Sequence, residues 1–327
     1  MKLVNALIAL LLAMPALAEP VAGNVEVTWN AGAEDCEKNP QPPLQVHHYE
    51  AQTIILRQSL CADFEAPLLY LLIGSKRALL IDSGAVADAK SMPLAETVSG
   101  LLPVVGGVRL PLLVVHTHRH GDHRAGDAQL AALPATQVVP VDADGMRAFF
   151  RFEQWPEGLA QLDLGDRLIE VLPVPGHQSE HVLFYDSRTG IVFSGDFLLP
   201  GRLLVDDIDD YRASAQRAVE FLEDKPVTHV LGAHIELAED GEAFPGGSTF
   251  HPNERGPALG KADLESLPAA LAAFNGFYSS HPNFIVVNPI RILISMAAGA
   301  VVALGLLVWF ARRLWKRRRV SGTRSAH

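Results

Sequence analysis

Residues 117–126 read Thr-His-Arg-His-Gly-Asp-His-Arg-Ala-Gly, so that His118, His120, Asp122 and His123 fall within six positions. Imidazole nitrogens and carboxylate oxygens are ligands for zinc and iron-like ions, and so dense a set points to metal chemistry rather than to a solvated polar loop. The apolar run Leu112-Leu113-Val114-Val115 that precedes them reads as a buried strand. Three more candidates, His177, Asp196 and His234, each follow a strand-like run and stand after Gly or Gly-Ala. Strand ends bring side chains to one rim of a sheet, and glycines let backbones approach a shared centre.

These residues need elements to carry them. Segments 53–57, 68–73 and 78–81 read as strands, with Gly74-Ser75-Lys76 as the turn between the last two. A helix is expected over 87–100, then the strand ending at Val115, the histidine loop and a short helix over 125–132. Further strands fall at 138–141 and 169–174, and 182–185 with 191–194 forms a hairpin. A helix over 211–223 has Asp209 or Asp210 placed to cap it. The strand 229–231 delivers His234, the Gly- and Pro-rich stretch 240–260 reads as a loop, and 262–275 reads as another helix. Strands mixed with helices throughout indicate a layered α/β body.

The run Thr-His-Arg-His-Gly-Asp-His, with Pro-Gly-His177, Ser-Gly-Asp196, Gly-Ala-His234 and the earlier Leu80-Ile81-Asp82-Ser83-Gly84, resembles the metallo-β-lactamase superfamily. It is most similar to dinuclear hydrolases of the glyoxalase II kind, over roughly residues 50–235. The resemblance implies an αββα sandwich with metals at one edge. It implies that His118, His120 and His177 hold a first divalent ion, that Asp122, His123 and His234 hold a second, and that Asp196 bridges them. Two ions so placed can share a water, make it hydroxide and direct it at a carbonyl or phosphorus centre, with Asp122 orienting the nucleophile. Zinc is the first expectation from ligands of N and O alone; iron or manganese also fit.

His116 also stands two before a histidine, but only the frame from His118 puts an Asp-His pair where the superfamily has one. His116 and His181 are then expected behind the ligands, and Asp82 in a structural role near the site. Arg202 and His251 are candidate substrate contacts. Specificity is expected on loops 60–66, 142–160 and 240–256.

The two ends of the chain are of another kind. Residues 1–18 carry Lys2, an apolar run and a terminal Ala16-Leu17-Ala18, the pattern of a cleaved signal peptide, with an uncleaved anchor as the alternative. Residues 289–311 read as a transmembrane helix, uncharged from Ile292 to Ala311, and the basic tail 312–327 follows. The tail would remain cytoplasmic, near anionic lipid, with the catalytic body outside, in the periplasm. Between these ends come an irregular segment (19–48), the catalytic domain (49–250) and a juxtamembrane helix and loop (251–288).

The formal charge of −10 conceals an asymmetry: with Lys2 and the seven basic residues of the tail set aside, the remainder carries about −18. Such a body repels phosphate backbones, which argues against nucleic acid as substrate. Cys36 and Cys61, the two cysteines, are a candidate disulfide in an oxidising compartment. The expected function is hydrolysis of a small ester, thioester, lactone or amide. A β-lactamase and a non-catalytic metal-binding sensor or scaffold are the alternatives; retention of all seven candidate ligands favours catalysis.

Overall fold

A computed structural model describes residues 19–322. The leader expected over 1–18 and the end of the basic tail, 323–327, lie outside the described residues.

The first sheet is built from β1 (Leu44–Glu50), β2 (Thr53–Gln58), β3 (Leu68–Ile73), β4 (Ala78–Ile81), β7 (Leu112–Val115) and β8 (Thr136–Val138), in that spatial order. A small hairpin, β5 (Val104–Val105) with β6 (Val108–Arg109), leads into β7. The second sheet runs β15 (Ala258–Leu259), β14 (His229–Gly232), β12 (Ile191–Gly195), β11 (Val182–Asp186), β10 (Leu168–Pro173) and β9 (Ala160–Asp163). A third, short sheet joins β13 (Arg202–Leu204), β17 (Ile285–Val287) and β16 (Tyr278–Ser280).

Alternation along the strands determines the layers. In β2, Ile55 faces the second sheet while Ile54 and Leu56 face outward; in β11, Phe184 faces inward while Leu183 and Tyr185 face outward. The inward set meets in one core between the sheets, with Tyr70 and Phe193 rings 4.6 Å apart. The outward face of the first sheet is covered by α1 (Leu94–Leu101) and α2 (Asp127–Ala131) through Leu94, Val98 and Leu130, while α3 (Ala143–Phe150) adds Met146 and Phe150 to the core between the sheets. That of the second is covered by α4 (Ile208–Leu222) and α5 (Lys261–Ala273) through Tyr211, Ala215, Leu222, Leu264 and Leu271. Both faces of each sheet are thus apolar, so β3 reads as an unbroken Leu-Leu-Tyr-Leu-Leu-Ile. The expected αββα sandwich is what the chain forms.

Some local expectations differ. The helix expected over 87–100 begins only at Leu94, because Pro93 disfavours helical backbone at the residue before it. Helix α4 starts at Ile208, and its cap is Asp207, whose carboxylate accepts from the backbone of Asp209 and Asp210; those two occupy the first turn. β1 begins at Leu44, inside the segment read as irregular. The stretch 251–288 is woven into the body: β15 pairs with β14, α5 packs on α4, and β17 pairs with β13. Cys36 and Cys61 are disulfide-bonded and tie the entry segment to the loop after β2.

The last helix, α6 (Pro289–Gly322), leaves the body. Its segment Pro289–Arg313 is long and apolar enough to cross a membrane and none of it is buried.

At the edge where β2 and β10 begin, Arg167 clamps the sheets together. Its guanidinium pairs with Asp186 through Nε at 3.1 Å and Nη2 at 2.6 Å, and donates to Gln52 O at 2.6 Å and Thr53 Oγ1 at 2.7 Å. Arg167 and Asp186 side chains are both fully buried. Arg167→Leu should lower the unfolding free energy by about 3–5 kcal/mol, because it leaves a buried carboxylate without its cation. Chemical denaturation measures it; a variant as stable as the parent would show that the clamp contributes nothing.

Candidate metal centre

Every candidate ligand lies at the opposite edge, where β7, β10, β12 and β14 end. β7 runs into the loop bearing His118 and His120, and Asp122 and His123 sit in a single 3-10 turn, Gly121–His123. Two glycines make the convergence possible. Gly195, at φ +53°, lets β12 pass so close to Thr117 that a Cβ there would lie 2.6 Å from the threonine side chain. Gly176, at φ +138°, lies against Tyr211, where a Cβ would stand 2.4 Å from Cα.

Two groups result: His118, His120, His177 and Asp196 in one, and Asp122, His123, His234 and Asp196 in the other. Within the first, His118 Nε2 and His177 Nε2 lie 2.9 and 3.1 Å from His120 Nδ1. Asp196 Oδ2 is 3.5 Å from His177 Nε2 and 3.9 Å from His118 Nε2. Within the second, Asp122 Oδ2 is 3.2 Å from His123 Nε2 and 3.3 Å from His234 Nε2. Asp196 Oδ1 is 3.5 and 3.4 Å from the same two nitrogens. One carboxylate therefore turns an oxygen to each group.

The set fits two cations on its own geometry. Ligand atoms about 2.0–2.1 Å from a tetrahedral ion lie roughly 3.4 Å from one another, close to the separations here. The buried Asp196 Oδ1 has no hydrogen-bond partner among the described residues, as an oxygen reserved for a cation would not.

In four of the five histidines the other ring nitrogen is tied back, which sets the atom that faces the centre. His177 Nδ1 donates to Leu204 O at 2.9 Å, and His234 Nδ1 to Glu65 O at 2.7 Å. His118 Nδ1 lies 3.1 Å from Thr117 Oγ1. His123 Nδ1 meets Asp82 Oδ2 at 2.9 Å, and Asp82 also accepts from Thr117 N at 2.8 Å. Asp82 holds φ at +63°, a left-handed conformation at the end of β4 that aims its carboxylate under the loop.

His116 turns away, its Nε2 2.8 Å from Asp127. His181 stacks on His118 with centroids 4.8 Å apart, and its Nε2 accepts from Asp196 N at 3.3 Å. Arg202 is engaged by Glu236 at 3.3 Å and by Phe244 O, which leaves less of its charge for a substrate carboxylate than the sequence alone allows. His251 stacks face to face on Phe244 at 4.1 Å, with Nδ1 3.0 Å from Glu254, which is in turn paired with the buried Arg57.

A groove of about 260 Å³ opens beside His234, lined by Phe64, Leu204, Ile235 and Phe244 together with Arg202 and His251. A larger cavity of about 860 Å³, between the entry segment and the 239–258 loop, contains none of the seven candidate ligands. Composition could not reveal the carbonyls of Glu65 and Leu204 as anchors, since any residue carries one. Asp82 was visible as a strand-end acid, but its partner His123 was not.

Charge in the cluster is finely opposed. Burial disfavours ionisation of Asp196, yet the imidazoles of His234 and His123 hold its carboxyl well below the usual range. Burial disfavours a proton on His234, yet Asp196 and Asp122 hold its pKa up at about 10. His123 is raised in the same way, against burial, by Asp196 and Asp82. Burial pushes His118 and His181 well below the ordinary value, and the neighbouring imidazoles add to the fall.

The raised pKa values favour protons on His123 and His234, which a cation must displace. Groups with raised pKa hold protons below that pKa, so metal affinity should climb as pH rises toward about 10 and fall in acid. Titration calorimetry at pH 7 in buffers of different ionisation enthalpy should read proton release on metal uptake; uptake without release would contradict this electrostatic picture. Asp82→Ala should weaken metal binding roughly 10–100-fold by freeing the His123 ring, which the same titration measures.

Residues 63–234 match the family model described as the metallo-beta-lactamase superfamily. The acyl-coenzyme A thioesterase MBLAC2 of Gallus gallus is 31% identical over 202 residues, covering 52% of this chain and 72% of that protein. The hydroxyacylglutathione hydrolase of Methylobacillus flagellatus is 30% identical over 244 residues, covering 68% of this chain and 87% of the relative. Among solved structures, a metallo beta lactamase from Erythrobacter litoralis shares the fold at a TM-score of 0.50 and 15% identity, covering 71% of this chain and 97% of that one. With more than half of its length matched and two His/Asp groups gathered at one edge of an αββα sandwich, this chain belongs to the metallo-β-lactamase superfamily and is a metal-dependent hydrolase of that superfamily.

Proposed function

We propose that the chain is a membrane-anchored, extracytoplasmic dinuclear hydrolase acting on acyl thioesters or related small esters. The observation that carries the dinuclear reading is the Asp196 carboxylate, with one oxygen toward His118 and His177 and the other toward His123 and His234. In this reading His118, His120 and His177 hold one ion, Asp122, His123 and His234 hold the other, and Asp196 is shared. The ligands are nitrogen and oxygen only, which suits zinc.

Divalent ions bound there would acidify water and polarise a carbonyl. The protein's own part is positional. Asp122, held ionised by His123 and His234 despite its burial, can accept a hydrogen bond from the attacking water and orient it. Phe64, Leu204, Ile235 and Phe244 offer the groove beside His234 an apolar lining for the acyl group. On hydrolysis the water oxygen bonds to the acyl carbon, the carbon–sulfur or carbon–oxygen bond breaks, and the released proton passes to the leaving group.

The thioester preference is supported by the relatives, whose names specify an acyl-coenzyme A and an acylglutathione. Anchoring is supported by the exposed apolar segment Pro289–Arg313, and an oxidising compartment by the Cys36–Cys61 disulfide. In this reading residues 1–18 are the leader, 19–288 the exported body, 289–311 the span and 312–327 a cytoplasmic tail near anionic lipid.

The test pairs elemental analysis with a substrate panel of thioesters, oxyesters, lactones, phosphoesters and β-lactams. Two equivalents of zinc and turnover of thioesters are expected, with Asp196→Ala losing metal and activity together while keeping its circular dichroism. Turnover of β-lactams alone, or an Asp196→Ala variant as active as the parent, would overturn the reading.

A further inference from the structure

The metal edge of the sandwich lies close to the root of the long apolar helix. His177 Nδ1 donates to Leu204 O at 2.9 Å, and the next residue, Val205, donates its N–H to Val287 O at 2.9 Å. Carbonyl oxygen and following nitrogen belong to one peptide unit, so Val287 O lies within about 8 Å of the His177 ring. Pro289, two residues further on, opens α6, which places it no more than roughly 15 Å from that ring. The uncharged stretch of α6 begins at Ile292, about one helical turn later, and is about 30 Å long, the depth of a bilayer's hydrocarbon.

Two features beside the helix root match a membrane interface. Phe277 and Tyr278 are 44% and 50% exposed, and both are bound to the strand that leads into α6: Tyr278 pairs with Val287, and Asn288 N donates to Phe277 O. Tyr is enriched at the headgroup level beside a span, and Phe277 adds exposed apolar surface next to Tyr278. Leu204, which anchors His177 and pairs with Val287, also lines the groove. The groove wall and the strand that leads into α6 are therefore neighbours in one sheet. The apolar tip Val104, Val105 and Val108 is also exposed, but it precedes β7 and so lies at the far edge, beyond the four residues of that strand.

Building on the anchored hydrolase reading, we infer that the metal edge faces the bilayer and that the substrate is an amphiphilic acyl ester or thioester resident in that leaflet. Its apolar tail stays in lipid or in the lining of Phe64, Leu204, Ile235 and Phe244, while the scissile carbonyl rises into the groove. The helix then acts as a spacer of fixed length as well as a tether.

Orientation is read without catalysis. The full chain is reconstituted in phosphatidylcholine vesicles with a nitroxide on a single cysteine introduced by Tyr278→Cys, Gly246→Cys or Val105→Cys; the disulfide-bonded Cys36 and Cys61 do not react. Labels at 278 and at 246, on the groove rim, should show collision with lipid-dissolved oxygen, and the label at 105 should behave as in bulk water. A label at 246 as aqueous as that at 105, or lipid contact at 105 instead, overturns the orientation.

The substrate class is read by inserting a flexible linker of about 20 residues between Asn288 and Pro289, which keeps the tether and removes the spacing. Turnover of a vesicle-resident long-chain acyl thioester should fall about tenfold through lost effective concentration, with turnover of a short-chain soluble thioester unchanged. No fall, or an equal fall for both, overturns the amphiphile assignment. If neither thioester is hydrolysed by the parent, the thioesterase reading fails, and the label depths still decide the orientation.

Discussion

The architecture at the metal edge depends on where one carboxylate, Asp196, is placed. Asp196 leaves β12 with its two oxygens directed at different sets of imidazoles, one beside His118 and His177 and the other beside His123 and His234. A buried carboxylate with an unpartnered oxygen is costly unless positive charge is supplied to it. The pKa values of His123 and His234, raised by the neighbouring carboxylates against burial, register that demand. The neighbouring features follow from placing this group correctly: the close pass of Gly195 against Thr117, the His181 acceptor for Asp196 N, and the Tyr211 ring with centroid 5.2 Å from that of Phe197.

The sandwich separates stability from chemistry. One edge is clamped by the buried Arg167–Asp186 pair, which also binds Gln52 and Thr53 of the first sheet. The other edge gathers the histidines and carries the groove. Between the two edges lies a core of strands buried on both faces, which resists relative sliding of the sheets. Candidate ligands from both sheets therefore meet at separations fixed by the packed strands rather than by the loops alone.

Charge also divides the chain. The acidic body and the basic tail lie on either side of the uncharged stretch 292–311, an asymmetry the whole-chain charge of −10 conceals. The third sheet, β13-β17-β16, gives that asymmetry a structural meaning, because it joins the strand that anchors His177 to the strand that enters the helix.

Much of this was legible in the residues themselves. The density of His118, His120, Asp122 and His123, and the Gly-preceded His177, Asp196 and His234, marked a metal site because side-chain type and strand-end position are local properties. Strand periods and apolar runs likewise marked most of the sandwich, although Pro93 shortened α1 and Asp207 displaced the expected cap of α4. What only the tertiary structure decided were relations between distant segments. Among them are the Glu65 and Leu204 carbonyls that orient His234 and His177, the left-handed Asp82 that holds His123, the Glu236 that occupies Arg202, and the pairing of β13 with β17. Backbone carbonyls are the same in every residue, and strand partners are chosen by packing across the whole sheet, so no local pattern of letters announces them.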